Sequence, residues 1–184
     1  MPTARSLRTA SRAELRRALG EGHPVEPSAL EGYAYRGTSL GLPPPASWVT
    51  WSTFQKTFWR EPRSGRLLGW NVRLEQDGLD APSRPRRARG VPVTEWLYEV
   101  VSSAQGGAPA GLDRGLVIDY GRAPNPALSP LRVVKDPLVA LAPDSADELL
   151  GVSYAVIGGR WVETPTYFTL ERDHRIDFVP EALR

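Results

Sequence analysis

The sequence predicts a mainly β fold: a single antiparallel β-barrel of about seven or eight strands, with two short helices near the N-terminus. Three observations predict it. The 17 Gly and 18 Pro fall between apolar runs rather than in one tract, as turns between many short strands require. Residues Leu68, Trp70, Val72 and Leu74 alternate with Gly69, Asn71, Arg73 and Glu75, the period of a half-buried strand. Gly158-Gly159 separates two β-rich runs, the composition of a two-residue hairpin turn. Closing such strands into a barrel removes exposed edges. The architectural rival is an α+β cone-shaped fold, which a long helix packed across one open sheet would establish.

Residues 1–10 are expected to be flexible and residues 11–184 to form one barrel domain, a length that supports a real core. Ser11-Arg12-Ala13-Glu14 forms a capping box, with Leu15 and Leu19 on one helical face and Gly20 at the C′ position. Pro24 and Pro27 stiffen a linker. GYAYRGTSLG over 32–41 reads as a strand with Tyr35 and Arg36 on opposite faces. LPPPAS is an extended connection. Ser47 then caps a second helix carrying Trp48, Trp51, Phe54, Phe58 and Trp59, with Gln55 inside the aromatic arc and Lys56 on its flank.

The rest reads as strands. TEWLYEVV places Trp96, Tyr98 and Val100 on one face, and Pro137 marks an edge or bulge within LRVVKDPLVALAP. Asp173-His174 turns into a last strand, RIDFV. The loop carrying Arg84, Arg86, Arg87 and Arg89 reads as a solvated basic loop.

Composition removes several function classes. The chain has no Cys, which excludes disulfides and thiolate chemistry. Net charge is +2, from 23 basic and 21 acidic residues, with the signs interspersed and only Lys56 and Lys135 as lysines. No basic stripe marks a nucleic-acid partner. No run approaches the ~18 apolar residues of a membrane span, and the N-terminal arginines lead into no apolar export core. The expected location is the cytoplasm. His23 and His174 lack metal-motif spacing, so no metal and no cofactor are expected; an axial haem ligand at His174 is the minor alternative to a solvated turn histidine.

Asp147-Glu148-Leu149-Leu150-Gly151-Val152 and Tyr167-Phe168-Thr169-Leu170-Glu171-Arg172 resemble the C-terminal companion domain of an uncharacterised bacterial family named for its G-x-W-x-G motif. The front is similar too. Tyr33-Ala34-Tyr35-Arg36-Gly37 stands at the motif, with Tyr33 for the first glycine and Tyr35 for the tryptophan, and Lys56-Thr57-Phe58 at a K-x-F segment. The resemblance covers both ends of the chain and implies a lipocalin-like barrel; the family brings no settled activity.

The functional expectation is binding of a small hydrophobic or aromatic molecule inside the barrel, without a metal. Its candidate ligand residues are Tyr35, Trp48, Trp51, Phe54, Gln55, Phe58, Trp70, Trp96 and Tyr98, since such pockets are built from aromatic side chains and a few polar groups. The alternative is a cofactor-free isomerase or cyclase with Tyr35 or Lys56 moving the proton. Carboxylates at Asp119, Glu148, Glu163 and Glu171 are further acid–base candidates, and Arg36 is expected to pair with Glu171 or Asp119. A third reading is a structural or interaction protein whose barrel is filled with side chains.

Overall fold

The computed structural model describes residues 1–40 and 51–184. Helix α1 spans Arg12–Glu21, and both halves of its capping box form: the Ser11 hydroxyl accepts from the Glu14 amide, and the Glu14 carboxylate accepts from the Ser11 amide. The helix runs past Gly20 and ends at Gly22. A single turn, α2, follows at Pro27–Leu30, with proline in the first turn, where the missing N–H costs nothing.

Eight strands then close a barrel: β1 (Tyr33–Leu40), β2 (Thr53–Arg60), β3 (Leu67–Arg73), β6 (Thr94–Ser102), β7 (Leu116–Asp119), β8 (Val134–Ala140), β9 (Glu148–Ile157) and β10 (Arg160–Arg175). Each pairs antiparallel with the next, and β10 returns to β1. A two-stranded ribbon, β4 (Arg87–Ala88) with β5 (Val91–Pro92), stands outside the barrel and accounts for the basic loop. Turn α3 is Ser103–Gly106. Among the described residues no helix is long and apolar enough to cross a membrane.

The mainly β reading is therefore right, with two short helices before the barrel, but the second is not the aromatic one. Thr53–Arg60 is strand β2, not a helix. Period two explains the same residues: Phe54, Lys56 and Phe58 point inward, while Thr53, Gln55, Thr57 and Trp59 point outward. Ser47 and Trp48 lie outside the described residues. The C-terminus also differs. Strand β10 continues through Asp173-His174 without a turn, and Ile176–Val179 is not a strand. Gly158 and Gly159 do form the β9–β10 hairpin turn, with φ of 56° and 79°, the left-handed pair that a type I′ turn needs.

Both faces of the wall are covered. Outside, Leu7, Leu15 and Leu19 pack on Leu40, Val139, Leu150 and Tyr167. On the opposite side the C-terminal segment covers Leu68, Trp70 and Val72 with Phe178, Val179 and Leu183. The alternation of β3 is as read from the sequence, but its apolar face is the outer one. Gly69, Asn71 and Arg73 face the lumen. A clean alternation says that two faces differ; it does not say which faces the barrel interior when the outside is covered as well.

Candidate functional site

The lumen has two halves. In one, Tyr35, Phe58, Tyr98, Leu138, Leu149 and Leu170 are fully buried in a single apolar cluster. Tyr35 and Phe58 meet edge-on, with centroids 5.2 Å apart. The Tyr35 hydroxyl donates to the Ala146 carbonyl (2.8 Å) and accepts from Arg172 (3.2 Å), so its polar end is used at the barrel's rim. The other half holds a cavity of about 210 Å³ with Trp51, Phe54, Trp96 and Phe168 among its walls.

Four polar side chains meet in that cavity. Lys56 on β2 lies opposite Asn71 on β3 and donates to its Oδ1 at 3.0 Å. Its Nζ also donates to the Tyr120 hydroxyl at 2.6 Å. Tyr120 follows β7 directly and donates to Asp136 Oδ2 at 3.0 Å. Asp136 on β8 brings the same oxygen to 3.6 Å from Lys56 Nζ. Both charged side chains are 3% exposed. Four rings surround the ammonium, those of Tyr98 (4.9 Å), Tyr120 (5.1 Å), Phe168 (5.4 Å) and Phe54 (5.6 Å), each presenting attractive π density to a cation. The other carboxylate oxygen, Asp136 Oδ1, is covered and makes no well-formed hydrogen bond among the described residues, although the Ser153 hydroxyl lies near enough to help hold the carboxylate charged.

Two local departures from the sheet shape the site. Between the Lys56–Asn71 and Trp59–Leu68 pairs, the Tyr98 hydroxyl enters the β2–β3 ladder. It accepts from the Thr57 amide (3.0 Å) and donates to the Thr57 carbonyl (2.8 Å). This needs Gly69, because a Cβ there would stand 2.2 Å from the Tyr98 ring and 2.1 Å from the Thr57 carbonyl oxygen. On β8, Pro137 supplies no amide, and the β8–β9 pairing skips from Lys135–Tyr154 to Leu138–Gly151. Asp136 and Ser153 face the cavity at this break. Pro137 thus marks an interruption inside a closed barrel rather than an edge strand.

Burial decides the electrostatics. Taking the Lys56 ammonium out of water lowers its pKa to about 8, against the pull of Asp136. The same burial raises the Asp136 carboxyl above the usual carboxylate range, while Lys56 opposes the shift. The Tyr120 and Tyr98 hydroxyls are driven well above their ordinary values by desolvation, with Asp136 adding to it. Both phenols therefore stay protonated.

At the mouth, Trp51 and Trp96 stack with centroids 5.0 Å apart and planes 15° from parallel. The Arg73 guanidinium lies 4.6 Å from the Trp51 ring centroid and pairs with Glu95 at 2.8 Å. Trp96 sits at a register shift between β3 and β6 with φ of 55°, a left-handed conformation that costs a bulky residue about 1–3 kcal/mol. The bulge turns Trp96 out of line with Tyr98 and Val100.

Of the expected ligand residues, Trp51, Phe54 and Trp96 line the cavity, as does Lys56. Tyr35, Phe58 and Tyr98 lie in the packed half. Trp70 is fully buried on the outer face under the C-terminal segment, and Gln55 also faces outward, so neither lines the lumen. The expected Arg36 pairs are absent: Arg36 reaches Ser83 (3.3 Å) and the Gly78 carbonyl (3.1 Å). Asp119 pairs with Lys135 (3.0 Å), Glu163 with Arg12 and Arg16, and Glu171 with Arg8, all on the barrel exterior. His174 lies beside Asp173, and no metal-binding cluster of His, Asp and Glu occurs among the described residues.

Sequence reasoning missed Asn71, Arg73, Tyr120 and Asp136. Asp136 carried a signal: a lone carboxylate inside the β-rich run VVKDPLVALA, next to a proline, has no neighbouring polar face to join. No protein-family model matches the chain, and no curated protein matches it.

Proposed function

We propose that the barrel binds a small, one-ring-sized apolar molecule whose polar head group reaches the Lys56–Tyr120–Asp136 floor. The observation that carries this reading is the buried Lys56–Tyr120–Asp136 group at the floor of a cavity that has Trp51, Phe54, Trp96 and Phe168 among its walls. A ligand hydroxyl at that floor meets polar groups already taken out of water, where a hydrogen bond is stronger than in solvent. Size supports a small ligand. The cavity of about 210 Å³ lies below the roughly 300–1,000 Å³ of drug-sized sites, yet above the ~150 Å³ known to admit benzene.

The test is a titration with benzyl alcohol and toluene, followed by quenching of Trp51 and Trp96 at the mouth. A hydrogen bond to a charged group contributes about 1.5–3 kcal/mol, so the alcohol should bind roughly ten- to a hundredfold tighter. Ser153→Leu, which fills the cavity, should abolish both. Equal affinities, or binding untouched by Ser153→Leu, would refute the reading.

Proton transfer within the same cavity is the second reading. It is favoured by a carboxylate and an amine facing one water-poor space with pKa values moved toward each other.

A further inference from the structure

We infer that Lys56 is a carbonyl-condensing amine, forming a reversible imine with a small aromatic aldehyde held in the barrel cavity. This rests on the proposed binding of a one-ring molecule and adds the chemical class it would take. Three features of the cavity converge on it. The amine lines a cavity of suitable size, has four aromatic rings about it, and is the one amine among the residues that line that cavity. Its ammonium touches Asp136 at 3.6 Å and Tyr120 at 2.6 Å, one group that takes a proton and one that links them. The Asp136 carboxylate, which lines the cavity beside the amine, is placed to carry a proton to the carbonyl oxygen. Desolvation of the amine, which lowers its pKa to about 8, makes the neutral nucleophile accessible near neutral pH.

The chemistry balances within these groups. The ammonium passes a proton to Asp136, and the neutral Nζ attacks the carbonyl carbon, forming the C–N bond. Asp136 returns that proton to the carbonyl oxygen, giving a carbinolamine that is still protonated on nitrogen. Asp136 then takes a proton from Nζ and delivers it to the hydroxyl. The C–O bond breaks, water departs, and the nitrogen lone pair completes the C=N bond. Two of the three ammonium protons leave with the carbonyl oxygen as water. The product is a protonated imine beside the Asp136 carboxylate, the same charges that the site held at the start. No oxidant or reductant is needed, and the four rings that face the ammonium face the iminium instead.

The composition makes a sharp experiment possible. The sequence carries two lysines, Lys56 and Lys135, so besides the α-amino group few amines compete. Lys135 is engaged outside the barrel with Asp119 and the Gly106 carbonyl, and serves as an internal control. The folded full-length protein is incubated with benzaldehyde and cyanoborohydride at pH 7.5, and the reduced benzyl adduct is located by intact mass and peptide mapping. The expected result is one fast adduct on Lys56, outpacing Lys135 at least tenfold, blocked by excess benzyl alcohol and absent in Lys56→Arg. Asp136→Asn should slow labelling about a hundredfold, the scale of positioned acid–base catalysis. Tyr120→Phe, which keeps the carboxylate, provides a second variant if Asp136→Asn melts early, and should slow labelling at least tenfold. Labelling confined to the α-amino group and Lys135 would overturn the inference. If benzaldehyde still quenches the mouth tryptophans in that case, the binding reading stands and only the imine falls.

Discussion

The burial of Lys56 has a consequence for stability that can be worked out. In the unfolded chain the amine titrates near its ordinary value of 10.5; in the barrel it titrates at about 8. Between those values the unfolded state holds more protons than the native state, so stability rises with pH. Below about 8 the amine is charged in both states and the burial cost is felt in full. Above 10.5 it is neutral in both, and the cost is gone. Integrating over that shift, raising the pH from 7 to 9.5 should contribute about 2 kcal/mol of stability from this one group. Lys56→Met removes the titration. It also leaves Asp136 buried without its cation, so the variant should be destabilised at neutral pH by about 3–5 kcal/mol, less where the carboxyl takes up a proton. Asp136 in that variant has a raised pKa, and its stability is present at low pH and lost as the pH climbs through the native value. Wild type and variant should therefore diverge as the pH rises. Urea unfolding at pH 7 and 9.5 measures both slopes. The exposed groups and the remaining tyrosines are common to both proteins and cancel in the comparison. If the two proteins show the same change between pH 7 and 9.5, Lys56 is not a desolvated cation and the site described above is wrong.

Other perturbations test the frame around the site. Gly69→Ala puts a Cβ against the Thr57 carbonyl and the Tyr98 ring, and should cost about 1–3 kcal/mol with loss of the Tyr98 wedge, seen as a lowered melting temperature. Truncation after Arg175 uncovers Leu68, Trp70 and Val72; it should red-shift tryptophan emission and cost on the order of 5 kcal/mol, from two or three apolar side chains no longer buried. Gly159→Val forces a β-branched residue to φ near 79° and should cost about 1–2 kcal/mol in chemical denaturation.

Much of the barrel was legible because barrel strands obey local rules. The Gly158-Gly159 turn, the alternation of β3 and the strand at Tyr33–Leu40 follow from chirality and period two, which act within a few residues. The aromatic segment failed because its rings fall within a helical arc, while only Phe54, Lys56 and Phe58 share the inward face of the strand that forms. The choice turns on pairing with Tyr33–Thr38 and Arg73–Leu67, the strands on either side, which the segment's own periodicity does not reveal. Trp70 failed for a related reason. Its burial comes from Phe178 and its neighbours, more than a hundred residues away, and a single strand does not encode which face a distant tail will cover. Lys56 was singled out from the sequence, but its partners come from three other places: Asn71 from β3, Tyr120 from beyond β7, Asp136 from β8. Closing the barrel assembles them, and no spacing along the chain announces it.

The site is costly in ways that ordinary core would not be. A buried ion pair gains little over well-packed apolar residues of the same volume, and the exchange is often neutral or stabilising. Here the pair is combined with an unfilled cavity and a left-handed tryptophan at its mouth. The other half of the same lumen shows what packing alone produces: Tyr35, Phe58, Tyr98 and four or five aliphatic side chains fill it, and each phenol finds a backbone partner. Both halves come from the same eight strands, so the fold does not force the difference. Within the lumen, the cavity, the buried ion pair and the left-handed tryptophan gather at one end, around one amine and one carboxylate. The proposed binding of a ring beside a desolvated amine and its counter-ion gives the cavity and the buried pair a use that packing alone does not.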